Sequence, residues 1–150
     1  MRLSDKDRRL LRRQVAHVRE RGRVHLMEAS IQHGRVTTWD HSVGVATTAL
    51  AIAAFLRLRV RRDQMVRAAL LHDYFLYDWH EPGHTAHATM HPVFALRNAL
   101  EDFELSDVEK NAIAAHMWPL PPGRVPKSRE ALLVSLADKW CSAVETIARR

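Results

Sequence analysis

From His41 to Leu56 the chain carries no charged side chain and is apolar on almost every side when wound as a helix. Such a helix must be enclosed by others. The run is shorter than the roughly 18–20 residues that cross a bilayer, and Arg57 and Arg59 close it. It is internal as well, so it is not a signal peptide. It predicts a buried central helix over about 41–58, in which Gly44, Ala46, Ala49 and Ala53 let neighbouring helices come close.

Those neighbours are legible on either side. Ser4-Asp5-Lys6-Asp7 reads as a capping box with Asp in place of Glu, opening a helix that ends near Arg21 at Gly22. Leu3, Leu10, Leu11, Val15 and Val18 form its apolar stripe, and arginines take the rest. A shorter helix is expected from Val24 to Gln32, stopped by His33-Gly34. Asp63 can cap the next, with Met65, Val66, Ala69, Leu70 and Phe75 as its apolar positions. Tyr77 to Met90 reads as irregular, and Pro92 suits the first turn of a helix reaching Phe103. Ser106-Asp107-Val108-Glu109 is a second capping box, for a helix to about Met117. Pro119, Pro121, Pro122, Gly123 and Pro126 enforce an extended loop before a last helix from about Ser128 to Ala148. No repeat, linker or period-2 strand stands out. The fold class is all-α: one compact helical bundle of about six to seven helices over 1–150, with the basic helix 1–22 packed on it.

A chain of 150 residues can bury about 68–70% of its extended surface, so it needs no covalent staple. Its one cysteine, Cys141, excludes an internal disulfide and a four-cysteine zinc site, and fits a reducing, cytoplasmic setting. Cys141 itself reads as a small core residue. The net charge of +6 would favour an anionic partner, but the positive charge is spread along the chain. The arginines between Arg8 and Arg23 read as the solvated face of a helix. Neither nucleic acid nor a membrane is therefore expected as a partner, and the oligomeric state is left open.

Histidine is the residue type that stands out, with 10 in the chain. His41 lies at the start of the central helix, the His72-Asp73 doublet at the end of the next, His91 before a helix, His116 at the end of another, and Asp138 within the last. Helix ends are where a bundle usually builds its ligand sites. Imidazole nitrogen with carboxylate oxygen suits divalent iron, manganese, zinc or nickel. Neighbouring residues on a helix point ~100° apart, so His72 and Asp73 can share one metal only from a terminal turn, or serve two with Asp73 bridging.

In order and context these residues resemble the HD-domain superfamily of metal-dependent phosphohydrolases. The matching segments are His41 in Asp-His-Ser-Val-Gly-Val-Ala, His72-Asp73 in Ala-Ala-Leu-Leu-His-Asp-Tyr, and Asp138 in Ser-Leu-Ala-Asp-Lys, within about residues 25–147. The resemblance implies one metal on His41, His72, Asp73 and Asp138. It implies a second on His91 and His116, with Asp73 and a water or hydroxide between the two. The ions would be Fe, Mn, Zn, Ni or Mg. Two departures matter: Tyr74-Phe75-Leu76 stands where two-metal members often carry Gly-Lys, and the Gly-Tyr-Pro signature of the cyclic dinucleotide branch is missing.

The expected activity is hydrolysis of a small phosphate ester, such as a nucleotide or a phosphorylated metabolite, by a metal-activated hydroxide. Asp73 would hold the metals and orient the hydroxide, while Lys139, Arg124 or Lys127 would bind the remaining phosphate oxygens. Two other readings stay open: a di-iron oxygenase of the same superfamily, and a non-catalytic metal-stabilised module that binds a nucleotide or a partner. His80, His84 and His87 are loop residues leading to His91, open to a general-acid role or to plain solvation. His17, His25 and His33 read as surface or supporting residues. Trp39, Trp79, Trp118 and Trp140 read as helix-end packing rather than platforms for a base.

Overall fold

Ser4 caps α1 (Asp5–Arg21) by accepting a hydrogen bond from the Asp7 amide at 3.1 Å. The protein is a computed structural model describing residues 3–33, 35–78, 80 and 87–147, without the side chains of residues 33, 87 and 88. Trp79, His84 and the imidazoles of His33 and His87 lie outside the described residues. Gly22 ends α1 where space is short. A Cβ there would lie 2.8 Å from Val18 O, 2.9 Å from Phe103 Cζ and 3.0 Å from Tyr74 Oη.

The second helix is shorter than the sequence predicts. α2 covers Val24–Ala29, and Ser30 then turns extended with its hydroxyl returned to Leu26 O at 3.0 Å. Ile31–His33 (β1) and Val36–Thr37 (β2) pair antiparallel where no strand was expected. The Ser30 carbonyl accepts from the Thr38 amide at 2.9 Å. That long-range bond holds the β-branched Ile31, Val36 and Thr37 in a hairpin rather than another helical turn.

α3 (Thr38–Phe55) begins earlier than predicted because Thr37 caps it, accepting from the Asp40 amide at 3.1 Å. His41 therefore sits one turn inside the helix. α4 (Arg62–Leu71) carries Asp63 in its first turn rather than as its cap; the amide of the preceding Arg61 is bound by Glu130 at 2.7 Å. α5 (His87–Asp102) absorbs Pro92 in its second turn, so His91 lies within the helix and not before it. A proline there removes one intrahelical bond close to the helix start. α6 (Asp107–Ala115) has the full capping box of Ser106 and Glu109, and α7 (Arg129–Ile147) follows the proline-rich loop. That loop holds cis peptides at Trp118–Pro119 and Leu120–Pro121.

Seven helices and one small hairpin among the described residues make the fold all-α. α3 packs between α4 and α7, α6 lies against both of these, and α1 covers α4 from outside. Leu50, Leu70, Ile113 and Val134 are fully buried where these helices meet, each contributing about 1.5–3 kcal/mol. Ala46, Ala49 and Ala53 are buried as expected; Gly44 is only half-buried, and a Cβ there would meet nothing closer than Cys141 Sγ at 4.0 Å. Ion pairs tie the layers: Arg62 of α4 to Asp7 of α1 at 2.5 Å, and Arg67 of α4 to the buried Glu109 of α6 at 2.5 Å. α5 grips the turn after α4, because Asn98 donates to Tyr74 O and Phe75 O at 3.1 and 3.0 Å. The Tyr74 hydroxyl donates to Asp102 at 2.7 Å in the same place. No described helix is long and apolar enough to cross a membrane.

Candidate metal centre

Five helices, or their ends, deliver six side chains to one buried cluster. α3 supplies His41, the end of α4 His72 and Asp73, α5 His91, the end of α6 His116, and α7 Asp138. All six are buried. His41 Nε2 lies 3.1 Å from Asp138 Oδ1, and His72 Nε2 lies 3.6 Å from the same oxygen. Asp73 divides its two oxygens: Oδ2 is 3.4 Å from His72 Nε2 and 3.9 Å from His41 Nε2, while Oδ1 is 3.4 Å from His91 Nε2 and 3.5 Å from His116 Nε2. His91 and His116 face each other, Nε2 to Nε2, at 2.8 Å.

Helix ends fix the direction of two of these rings. His72 and His116 are the residues that follow the last turns of α4 and α6. Each turns Nδ1 onto a carbonyl three residues back, Ala69 O at 2.7 Å and Ile113 O at 2.8 Å. A donor bond at Nδ1 leaves Nε2 as the nitrogen aimed at the cluster. His41 Nδ1 is held instead by the Glu145 carboxylate at 2.9 and 3.1 Å.

The donor set fits divalent cations. His72 Nε2 and Asp73 Oδ1 are buried with no hydrogen-bond partner among the described residues. A buried polar atom left without a partner costs free energy unless something satisfies it. His41, His72 and Asp138 offer one group of donor atoms mutually within 4.8 Å, and His72, Asp73 and His116 offer another. The electrostatics agree. Burial opposes charge on Asp73 and Asp138, yet the surrounding imidazoles hold both carboxyls below their ordinary range. Burial also works against a proton on His41, but hydrogen bonds to Asp138 and Glu145 push it up to about 10. His72 is raised too, against its burial, by Asp73 and Asp138. His116 is pushed down to about 3 by burial and by its neighbour His72. The carboxylates thus favour protons on His41 and His72, and bound cations would replace those protons.

Residues that the sequence reading did not single out complete the support. Glu145 backs His41, and Ser142 Oγ donates to Asp138 Oδ1 at 3.3 Å. Gln32 Nε2 donates to Asp73 Oδ2 at 2.6 Å, while its own oxygen accepts from Thr38 Oγ1 at 3.2 Å. Glu145 stands seven residues, two helical turns, beyond Asp138 and so on the same face, a spacing that could have revealed it. Gln32 gave no such signal, since only the hairpin carries it there.

Of the cations named from sequence, Lys139 is engaged elsewhere. Lys139 Nζ donates to His116 O at 3.0 Å, Ser135 O at 3.3 Å and Ser135 Oγ at 2.8 Å, which uses all three of its donors. Arg124 reaches Thr89 O at 3.3 Å, and Lys127 lines a groove beside Trp118 and Leu132. His80 is exposed and pairs with Asp78 at 3.0 Å. Trp39 is buried beneath the guanidinium of Arg19, as helix-end packing predicts, whereas Trp140 is 65% exposed. Cys141 is buried against Thr48, as a core residue should be.

The HD domain family matches residues 38–142, more than half of the chain and a span that includes all six clustered residues. The chain belongs to the HD-domain family. Membership of this HD domain in the metal-dependent phosphohydrolase superfamily agrees with a His/Asp cluster suited to divalent ions. No curated protein and no solved structure matches the chain. Glu145 lies beyond the matched HD segment, so the family pattern does not bring it to notice.

Proposed function

We propose that this HD protein hydrolyses a small phosphate ester, such as a nucleotide or a phosphorylated metabolite, using two divalent metal ions. The observation that carries the reading is the division of Asp73, with one oxygen toward His41 and His72 and the other toward His91 and His116. In this assignment His41, His72, Asp73 and Asp138 hold one ion, and His91, His116 and Asp73 hold the other. Divalent ions bound there would supply acidified water for attack on phosphorus and offset charge on the phosphoryl oxygens. The chain's own work is positioning. Asp73 keeps the two halves of the cluster in register, and its bond from Gln32 fixes the carboxylate plane. Lys139 acts here on the backbone carbonyl of His116, at the end of α6, rather than meeting phosphate. Arg124, which reaches the carbonyl two residues before His91, is the cation assigned to the substrate's phosphate.

The test pairs metal analysis of the purified protein with phosphate release from a panel of phosphorylated metabolites, for the native chain and for Asp73→Asn. Redox-inert divalent metal, with release that the variant loses, is the expected result. Mixed-valence iron with oxygen consumption would assign the chain to the oxygenases instead. Bound metal without turnover of any compound would make it a binding module.

A further inference from the structure

α3 and α7 pack antiparallel, with His41 beside Glu145 at one end and Arg129 reaching the Arg59 carbonyl at the other. Their inner faces build the bundle and the metal cluster. The outer face they share is open. On α7, Leu132, Leu136, Trp140 and Val144 recur every four residues and are 41, 46, 65 and 48% exposed. Beside them on α3, Thr48, Ala51, Ile52 and Phe55 follow the spacing of a single helix face, and Phe55 is 72% exposed. Between the two rows runs a groove of about 610 Å³, with Trp140 and Leu136 on one wall and Thr48, Ala51 and Ile52 on the other. Among the described residues its lining carries no charge. Even its hydroxyls are satisfied from within, Thr47 by Val43 O at 2.8 Å and Thr48 by Cys141 Sγ at 3.4 Å.

We propose that this face docks against the same face of a second copy of the chain, making a two-fold dimer through α3 and α7. Area is the first argument. At ~150–250 Å² for a large side chain, the exposed fractions of Phe55, Leu132, Leu136, Trp140 and Val144 amount to about 400–700 Å². That reaches the upper end of the largest patch on a typical monomer, about 300–600 Å². With the groove walls added, it approaches the ~800 Å² that each partner brings to a standard interface. Charge is the second argument. The chain carries +6, and α1 displays much of it, so two copies meeting there would set arginine against arginine. The α3–α7 face lets them meet without that repulsion. Symmetry is the third. A two-fold contact must be self-complementary. A ridge centred on Trp140 next to a groove of its own supplies both halves of the match.

The test uses the full chain with its metal, measuring mass by light scattering and sedimentation equilibrium over a wide concentration series. The expected mass is twice 17.2 kDa. Trp140→Glu and Leu136→Glu should each weaken association by roughly 100-fold or more, as central interface residues do, with helix content and metal content unchanged. Arg13→Glu, on α1, should leave the dimer intact. If Trp140→Glu does not fold, Leu132→Lys at one end of the row takes its place. A native chain that stays monomeric throughout, or variants that dimerise as tightly as the native chain, would overturn the proposal. So would a monomer whose Trp140 inserts into vesicles of anionic lipid. Because the readout is mass, these outcomes do not depend on whether the metal centre hydrolyses phosphate esters.

Discussion

His41 stands between two carboxylates, with Nδ1 2.9 Å from Glu145 Oε2 and Nε2 3.1 Å from Asp138 Oδ1. One carboxylate belongs to the proposed ligand set. The other, two turns further along α7, orients the ring and makes its inward nitrogen a better donor. Carboxylates placed in this way typically account for 10–100-fold in metal affinity. Glu145→Ala should therefore weaken metal binding by roughly 10–100-fold, and Glu145→Gln, which keeps an acceptor, by less. Titration with metal, followed by calorimetry, reads this directly. Affinity unchanged in Glu145→Ala would remove Glu145 from the site.

Asp73 is buried among His72, His91 and His116 and lies outside the apolar core of the bundle. Asp73→Ala should lose bound metal and any phosphatase activity while keeping its helix content, because the core of Leu50, Leu70, Ile113 and Val134 is untouched. That outcome would separate the protein from small domains that are unfolded without their ion. Metal analysis and circular dichroism on the same sample decide the point. A variant that keeps its metal would show that the doublet does not ligate.

Gly22 is set by space. A methyl group there would press on a backbone carbonyl, on the ring of Phe103 and on the hydroxyl of Tyr74. Gly22→Ala should cost about 1–3 kcal/mol, the usual penalty for overpacking. A fall of roughly 2–4 °C in melting temperature per kcal/mol would accompany it in a chain of this size. Unchanged melting would mean that α1 shifts without cost.

Acid should release α1 from α4. The carboxyl of Asp7 is held below its ordinary 3.8 because hydrogen bonds from Arg62 and Ser4 outweigh the opposing effect of burial. A depressed carboxyl contributes stability that is present above the unfolded value and lost as pH falls through the folded one. The gap in denaturation midpoint between the native chain and Asp7→Asn should thus be full above pH 3.8 and close at more acid pH. A gap that persists unchanged in acid would mean that the carboxyl does not titrate in this range.

Local signals carried most of the fold. The caps at Ser4 and Ser106 work over three residues, and the sequence reading places both helix starts correctly. The uncharged run likewise marks α3, and the spacing of His41, His72-Asp73, His91, His116 and Asp138 marks the residues that cluster. What escaped depends on contacts between distant segments. The hairpin follows from Thr38 bonding Ser30, which no window centred on Val24 to Gln32 can contain. Glu130 replaces a side-chain cap at Arg61 from across the bundle. Lys139 looks like a phosphate ligand by its position after Asp138, and only the end of α6 reveals what it binds. Trp140 likewise reads as packing until its neighbours on α3 are seen to leave it open.

The arginines of α1 and of the turn after it do more than one thing, and that sharpens the last prediction. Arg19 pairs with Glu28 at 2.6 Å and lies over Trp39, and Arg23 bridges Glu101 and Asp102 at 2.9 and 2.8 Å. These are part of the fold and are poor probes of charge alone. Arg12 and Arg13 are exposed, and no ion pair holds either of them among the described residues. A substrate of small size would meet the metal centre, so these two charges could act only through weak steering that salt screens over about 8–10 Å. Arg12→Gln with Arg13→Gln should then leave turnover of a small phosphate ester nearly unchanged at any ionic strength. A nucleic-acid substrate would behave differently, because each lost phosphate contact lowers affinity and flattens its dependence on salt. The measurement is turnover and oligonucleotide binding of the double variant across a salt series. A large loss of either at low salt, with metal content intact, would extend the substrate site onto α1 and rule out the small-molecule assignment.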